Sequence, residues 1–93
     1  MIHLGNDEQL KIGVKQTSKA IIENKAKLVY VARDAEQHVT RRVLELSKNH
    51  RVEVEYIDSM KELGRMCNID VGAATAVIIN KNKKEREVKW CLL

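Results

Sequence analysis

Lys15 and Lys19 lie one helical turn apart with Gln16 beside them, in the segment Gly13-Val14-Lys15-Gln16-Thr17-Ser18-Lys19. Two ammonium groups on one ridge can meet phosphates, and a glutamine amide can both donate to and accept from a base edge. Gly13 opens the helix, so its first backbone N–H groups would face the same ligand. The first turn lacks the acidic residues that favour a helix N-terminus, and lysine there is locally unfavourable. An anionic partner would offset that cost; a solvated helix face is the plain alternative.

A second segment, Ile69-Asp70-Val71-Gly72-Ala73-Ala74, is an apolar loop of small residues with one charge, Asp70. Such a loop can cover unstacked bases splayed out of a folded RNA. A tight turn facing the core would use the same residues. Taken together, the two segments point to RNA bound by shape.

No catalytic constellation accompanies them. The chain has no dinucleotide-binding G-x-G-x-x-G, no phosphate loop and no G-x-S-x-G elbow. Ser59 is better explained as a helix cap than as a nucleophile. Asp34 and Glu36 suit first-turn electrostatics, and Cys67 suits burial. Cys67 and Cys91 have neither ligand spacing nor a companion histidine pattern, so reduced thiols are expected, with no metal and no cofactor. His3, His38 and His50 are expected at the surface.

The net charge of +4 is unevenly spread. From Asn80 to Leu93 five cations meet two carboxylates, whereas the other 79 residues hold twelve against eleven. Binding by the body must therefore come from local placement of charge. The 93 residues are 44% hydrophobic and 32% charged, enough for one core. No signal segment or bilayer-length apolar run is evident, so a cytoplasmic protein, monomeric and away from membranes, is expected.

The elements that would hold these segments follow from periodicity. The spacing predicts a short helix near Asp7 to Leu10, then a brief strand at Lys11 to Ile12. Val14, Thr17, Ser18 and Ile21 form one helical stripe. Leu28 to Ala32 reads as a strand buried on both faces. Asp34 with Gln37 has the spacing of a capping box, before a helix whose buried stripe is Val39, Val43 and Leu46. Val52 to Tyr56 alternates as a strand near a sheet edge. Ser59 and Glu62 form a second capping box, opening a short helix with Leu63 and Met66 inward. Ala74 to Ile79 is a last strand. The expected fold is α/β, a three-layer α/β/α sandwich around a small mixed sheet, with an RNA-binding domain over 1–79 and a basic tail over 80–93. Val88 to Leu92 could add an edge strand.

The order of these parts resembles the kink-turn RNA-binding ribosomal protein superfamily, in particular the small bacterial YbxF-type relatives of archaeal large-subunit ribosomal protein seven-Ae. The residues that carry it are Gly13 to Ala20, Val31-Ala32-Arg33-Asp34-Ala35, Asp58 to Gly64 and Asn68 to Ala74. The resemblance spans roughly residues 4 to 79, and the bacterial type shares the Lys-Gln pair where archaeal members have Asn-Glu. Asn68 replaces a glycine, an exchange that suits a left-handed backbone. The family's usual proline is absent, and the stretch from Asn80 lies beyond its usual end. The resemblance implies a non-enzymatic protein whose ligand is RNA sharply bent at sheared G·A pairs, in a ribosomal or ribosome-associated setting. It implies that Gly13, Lys15, Gln16 and Lys19 enter the major groove at those pairs. Ile69, Asp70, Val71, Gly72 and Ala73 would pack on unpaired nucleotides at the bend, with Arg33 in the matched segment between. A protein-interaction module of the same fold, without RNA binding, is the alternative.

Overall fold

The apolar run from Leu28 becomes the inner part of a strand in which Val29, Tyr30, Val31 and Ala32 are all buried, as coverage on both faces requires. In the computed structural model, which describes Leu4 and residues 7–80, the elements are β1 (Glu8–Ile12), α1 (Val14–Ile22), β2 (Ala26–Ala32), α2 (Gln37–Asn49), β3 (Glu53–Ile57), α3 (Met60–Met66) and β4 (Thr75–Asn80). The sheet runs β1-β4-β2-β3. Among the described strands only β2 and β3 pair in parallel, and α2 is the crossover that a parallel pair needs. β3 lies at the sheet's edge, as its alternating pattern predicts.

Each face of the sheet has its own core. Ala20 and Ile21 of α1 and Val43 of α2 pack with Val29, Val31, Val77 and Ile79. Leu63 of α3 and Cys67 pack with Tyr30, Ala32, Ala76 and Ile78 on the other face. This is the expected α/β/α sandwich around a mixed sheet.

Local chemistry closes each helix. Asn24, Arg51 and Asn68 adopt left-handed backbone, at φ 61, 57 and 63°. The amide after each reaches back to the helix: Lys25 N to Ala20 O, Val52 N to Ser47 O and Ile69 N to Gly64 O. Asn68 thus has the conformation that its exchange for glycine called for. At the start of α3, the Ser59 side chain accepts from Glu62 N at 3.0 Å, as its cap spacing predicts.

Three local expectations are corrected. Residues around Asp7 to Leu10 form no helix; β1 begins at Glu8 and pairs with β4, Gln9 opposite Ile79 and Lys11 opposite Val77. Four residues cannot nucleate a helix against a ready ladder partner. Asp34 does not cap α2, whose N-cap is Glu36 with no side-chain bond; its Oδ1 accepts from Met60 N at 2.7 Å instead. The buried stripe of α2 is Thr40, Val43 and Ser47, with Val39 and Leu46 half-buried on its flanks. β4 ends at Asn80, whose N donates to Lys25 O. His3, Cys91, the basic stretch from Lys81 and the strand read at Val88 to Leu92 lie outside the described residues.

The core on the α3 side makes stability sensitive to alkali. Burial pushes the Tyr30 phenol up, helped by the Glu55 and Cys67 charges, and burial pushes the Cys67 thiol up. The folded state then holds protons that the unfolded chain releases. Stability is full below the ordinary thiol pKa of about 8.5 and falls as pH rises through the higher folded value. Urea midpoints should decline above that pH, and Cys67→Ala should delay the decline toward the tyrosine range near 10. A profile as steep in Cys67→Ala as in the parent chain would remove the thiol from this account.

Candidate nucleic-acid interface

Register places the ends of β1, β2 and β3 and the start of β4 along one edge of the sheet: Ile12 opposite Ala76, Val31 opposite Thr75, and Ala32 opposite Ile57. Three backbone bonds tie their loops together there. Gly13 N donates to Thr75 O at 2.9 Å, Ala32 N to Ala74 O at 2.9 Å, and Arg33 N to Ile57 O at 2.7 Å. Loops at the carboxyl ends of strands are where open α/β sheets place ligands.

The first segment is held by its threonine. Thr17 Oγ1 donates to Gly13 O at 2.7 Å and lies 3.1 Å from Thr75 Oγ1, and both threonines are fully buried. Gly13 has φ 106°, which only glycine adopts freely, and a Cβ there would meet nothing within 4 Å. The opening of α1 is therefore pinned at its back and open in front. No side chain caps it and no acid lies in its first turn. Lys15, Gln16 and Lys19 are exposed on α1, while Thr17, Ser18, Ala20 and Ile21 face inward.

The second segment is braced by α3. Ala73 N donates to Met60 O at 3.0 Å, and Ile69 N to Gly64 O at 3.0 Å. A Cβ on Gly64 would lie 2.1 Å from Val71 O, so α3 and the loop touch backbone to backbone. Asp34 fixes the N-terminus of α3 through Met60 N, so the β2–α2 turn, α3 and the loop form one hydrogen-bonded chain. The loop's residues divide in two. Ala73 is buried and Ile69 packs half-buried on the core, so these two anchor it. Asp70, Val71 and Gly72 are exposed, with Val71 at 70%. A valine so displayed has little to gain from water. Met60, at 37% exposed, sits behind Gly72, whose Cβ would come 3.2 Å from the Met60 Cβ.

The bond from Gly13 N to Thr75 O sets the open end of α1 next to the end of the apolar loop, so the two segments become one surface. Arg33 is only partly of that surface. Its backbone is at the same edge, but its guanidinium lies 5.2 Å from the Tyr56 ring centroid and 3.9 Å from Asp58 Oδ1, toward β3. The structure also adds residues that the sequence alone did not single out. Gln9 and Lys11 of β1 line a cleft with Gln16 and Lys19, and Arg42 of α2 borders a hollow beside Lys15. Alternation along Gln9-Leu10-Lys11-Ile12 was the available signal, and reading a helix there concealed it. Among the described residues, no three His, Cys, Asp or Glu side chains converge to hold a metal ion, and no helix is long and apolar enough to cross a membrane.

If this surface meets RNA, Lys19→Ala should weaken binding to many RNAs alike, whereas Gln16→Ala should erode discrimination between a bent RNA and a plain duplex. Both side chains are exposed, so unfolding midpoints should hardly move. Affinities for both RNAs within about twofold of the parent in both variants would make the segment structural only.

The model of the ribosomal protein L7Ae/L30e/S12e/Gadd45 family matches residues 4–89, past Ile79 and into the stretch set outside the resemblance. The chain is 54% identical over 65 residues to an RNA-binding protein of Caldanaerobacter subterraneus, covering 70% of this chain and 79% of that one. It is 41% identical over 71 residues to RNA-binding protein YbxF of Geobacillus stearothermophilus, covering 76% and 87%. Among solved structures, the 15.5kD RNA binding protein of Giardia lamblia superposes with a TM-score of 0.68 at 26% identity, covering 87% of this chain and 68% of that one.

Proposed function

This chain belongs to the ribosomal protein L7Ae/L30e/S12e/Gadd45 family, is a non-enzymatic member of it, and we propose that it binds RNA sharply bent at an internal loop, the kink-turn type. The observation that carries the reading is the Gly13–Thr75 backbone bond, which sets a basic, uncapped helix opening beside a loop that displays Val71. The helix opening, with Lys15, Gln16 and Lys19, meets phosphates and base edges of the stem. Val71, on the frame of Ile69, Asp70, Gly72 and Ala73, covers a nucleotide that the bend leaves unstacked. A straight duplex offers only the first of these contacts, so the pair reads shape. The setting is cytoplasmic and ribosomal or ribosome-associated, the protein acting as a monomer, with the domain over 1–79 supplying recognition and 80–93 a basic extension.

Calorimetric titration with a kink-turn RNA, beside a variant whose G·A pairs are replaced by Watson–Crick pairs, tests the reading. The bent RNA should bind at least about tenfold tighter. Equal affinity for both would leave only general RNA attraction. With two to four phosphate contacts, log affinity should fall with log salt at a slope of about −2 to −4. A slope near −8 would instead indicate a broad basic surface.

A further inference from the structure

We propose that the groove between α2 and the outer edge of β3 holds an unpaired nucleotide of the bound RNA, its base against Tyr56 and its phosphates near Arg33, Arg41 and Lys48. The site extends the RNA-binding reading above and depends on it for the occupant.

In the sheet, Tyr56 lies opposite Val31 and projects on the face that α1 and α2 cover. Among the described strands β3 is at the edge, however, and α2 leaves a groove of about 590 Å³ beside it. That is within the range of small-ligand sites and ample for one nucleotide. The groove has an apolar base, including Val31, Ala32, Ala35 and Leu44. Tyr56 stays 48% exposed, while the other described aromatic, Tyr30, is buried. Its ring faces the Arg33 guanidinium, itself largely in solvent. A base can stack on such an aromatic–guanidinium pair without regard to its identity.

The charges suit a nucleic acid strand. Arg33, Arg41 and Lys48 line the groove against one carboxylate, Glu45. Arg41 and Lys48 are two turns apart on α2, so they can reach successive phosphates. The Arg33–Asp58 pair is 3.9 Å long and mostly solvated, too loose to hold the guanidinium from a phosphate. Arg33 links the groove to the surface already described: its side chain lines the groove, and its backbone N is bonded to Ile57 O at the end of the sheet where the loops gather. A strand leaving the bend can enter there. Aromatic ring, apolar floor and cations together match a nucleotide better than an acidic peptide, which would use the cations alone.

The test is fluorescence anisotropy with a blunt kink-turn RNA and the same RNA carrying six unpaired uridines at each strand end in turn. Hexauridylate and AMP alone are further probes. One tailed RNA should bind about tenfold tighter than the blunt RNA. Tyr56→Ala and Lys48→Glu should each cut that gain below twofold, Tyr56→Phe should keep it, and none should change affinity for the blunt RNA. No gain from any tail, or a gain that survives both substitutions, overturns the proposal. Saturation by AMP without a tail effect would also overturn it, in favour of a free-nucleotide site. If the blunt RNA fails to bind, the kink-turn reading falls alone provided hexauridylate still binds in a Tyr56-dependent way; if neither binds, both fall.

Discussion

Val71→Asp should abolish recognition of bent RNA, weakening it by at least about a hundredfold, while the thermal midpoint stays within about 2 °C of the parent. Val71 is 70% exposed in the free protein, so replacing it removes almost no folding contact. Surface changes of that kind stay within about 0.5 kcal/mol. In the complex the same side chain would cover an unstacked base, an interaction worth about 1–3 kcal/mol. The aspartate loses that contact and adds a second carboxylate next to Asp70, facing RNA phosphates. Val71→Ala loses only the contact and should cost around tenfold. Affinity is to be read by calorimetry and stability by thermal melting of the same samples. A clear fall in midpoint with unchanged affinity would place Val71 among folding residues and leave the loop with no role in binding.

Gly64→Ala should be the most damaging single-methyl change to the fold. The added Cβ would fall 2.1 Å from Val71 O, and a backbone carbonyl cannot swing aside as a flexible side chain can. Either α3 backs away from the loop or the loop lifts off α3. Overpacking of this kind costs about 1–3 kcal/mol, and the backbone clash puts this case at the upper end. For a chain of this length that is about 10–20 °C in midpoint. The loop carries Val71, so affinity for bent RNA should fall as well, at temperatures where the variant is still folded. The two substitutions thus separate the loop's roles: Val71→Asp removes the contact surface, and Gly64→Ala removes its support. A parental midpoint in Gly64→Ala would mean that α3 does not brace the loop.

The elements legible in the sequence are those with internal logic. Inward residues at helical spacing located α1, and the unbroken apolar run at Leu28 located β2. The Ser59–Glu62 spacing located the start of α3, where the predicted bond is made. The equally good spacing at Asp34–Gln37 failed, because Asp34 has a competing partner in Met60 N, 26 residues away. In α2, Val39 and Leu46 were expected inside and Ser47 was not, yet Ser47 is 1% exposed. Helix rotation is set by what α2 packs on, and here that contact favours the Thr40–Val43–Ser47 side.

For the candidate site, sequence identified both segments and could not say how they meet. Residue types alone determined an uncapped, basic helix opening at Gly13 and a small-residue loop at Ile69 to Ala74, because charge, side-chain size and glycine's backbone freedom are local properties. Only the tertiary structure decided that the two adjoin, that Ile69 and Ala73 anchor while Val71 is displayed, and that Lys11 flanks Gln16 while Arg33 turns toward Tyr56. It also decided that Glu8 to Leu10 extend the strand read at Lys11 to Ile12, through pairing with β4 at the far end of the domain. Each of these outcomes rests on partners far apart along the chain, such as Thr17 and Thr75 at a separation of 58 residues. No local window contains both partners, and the choice between them is made by closing the sheet.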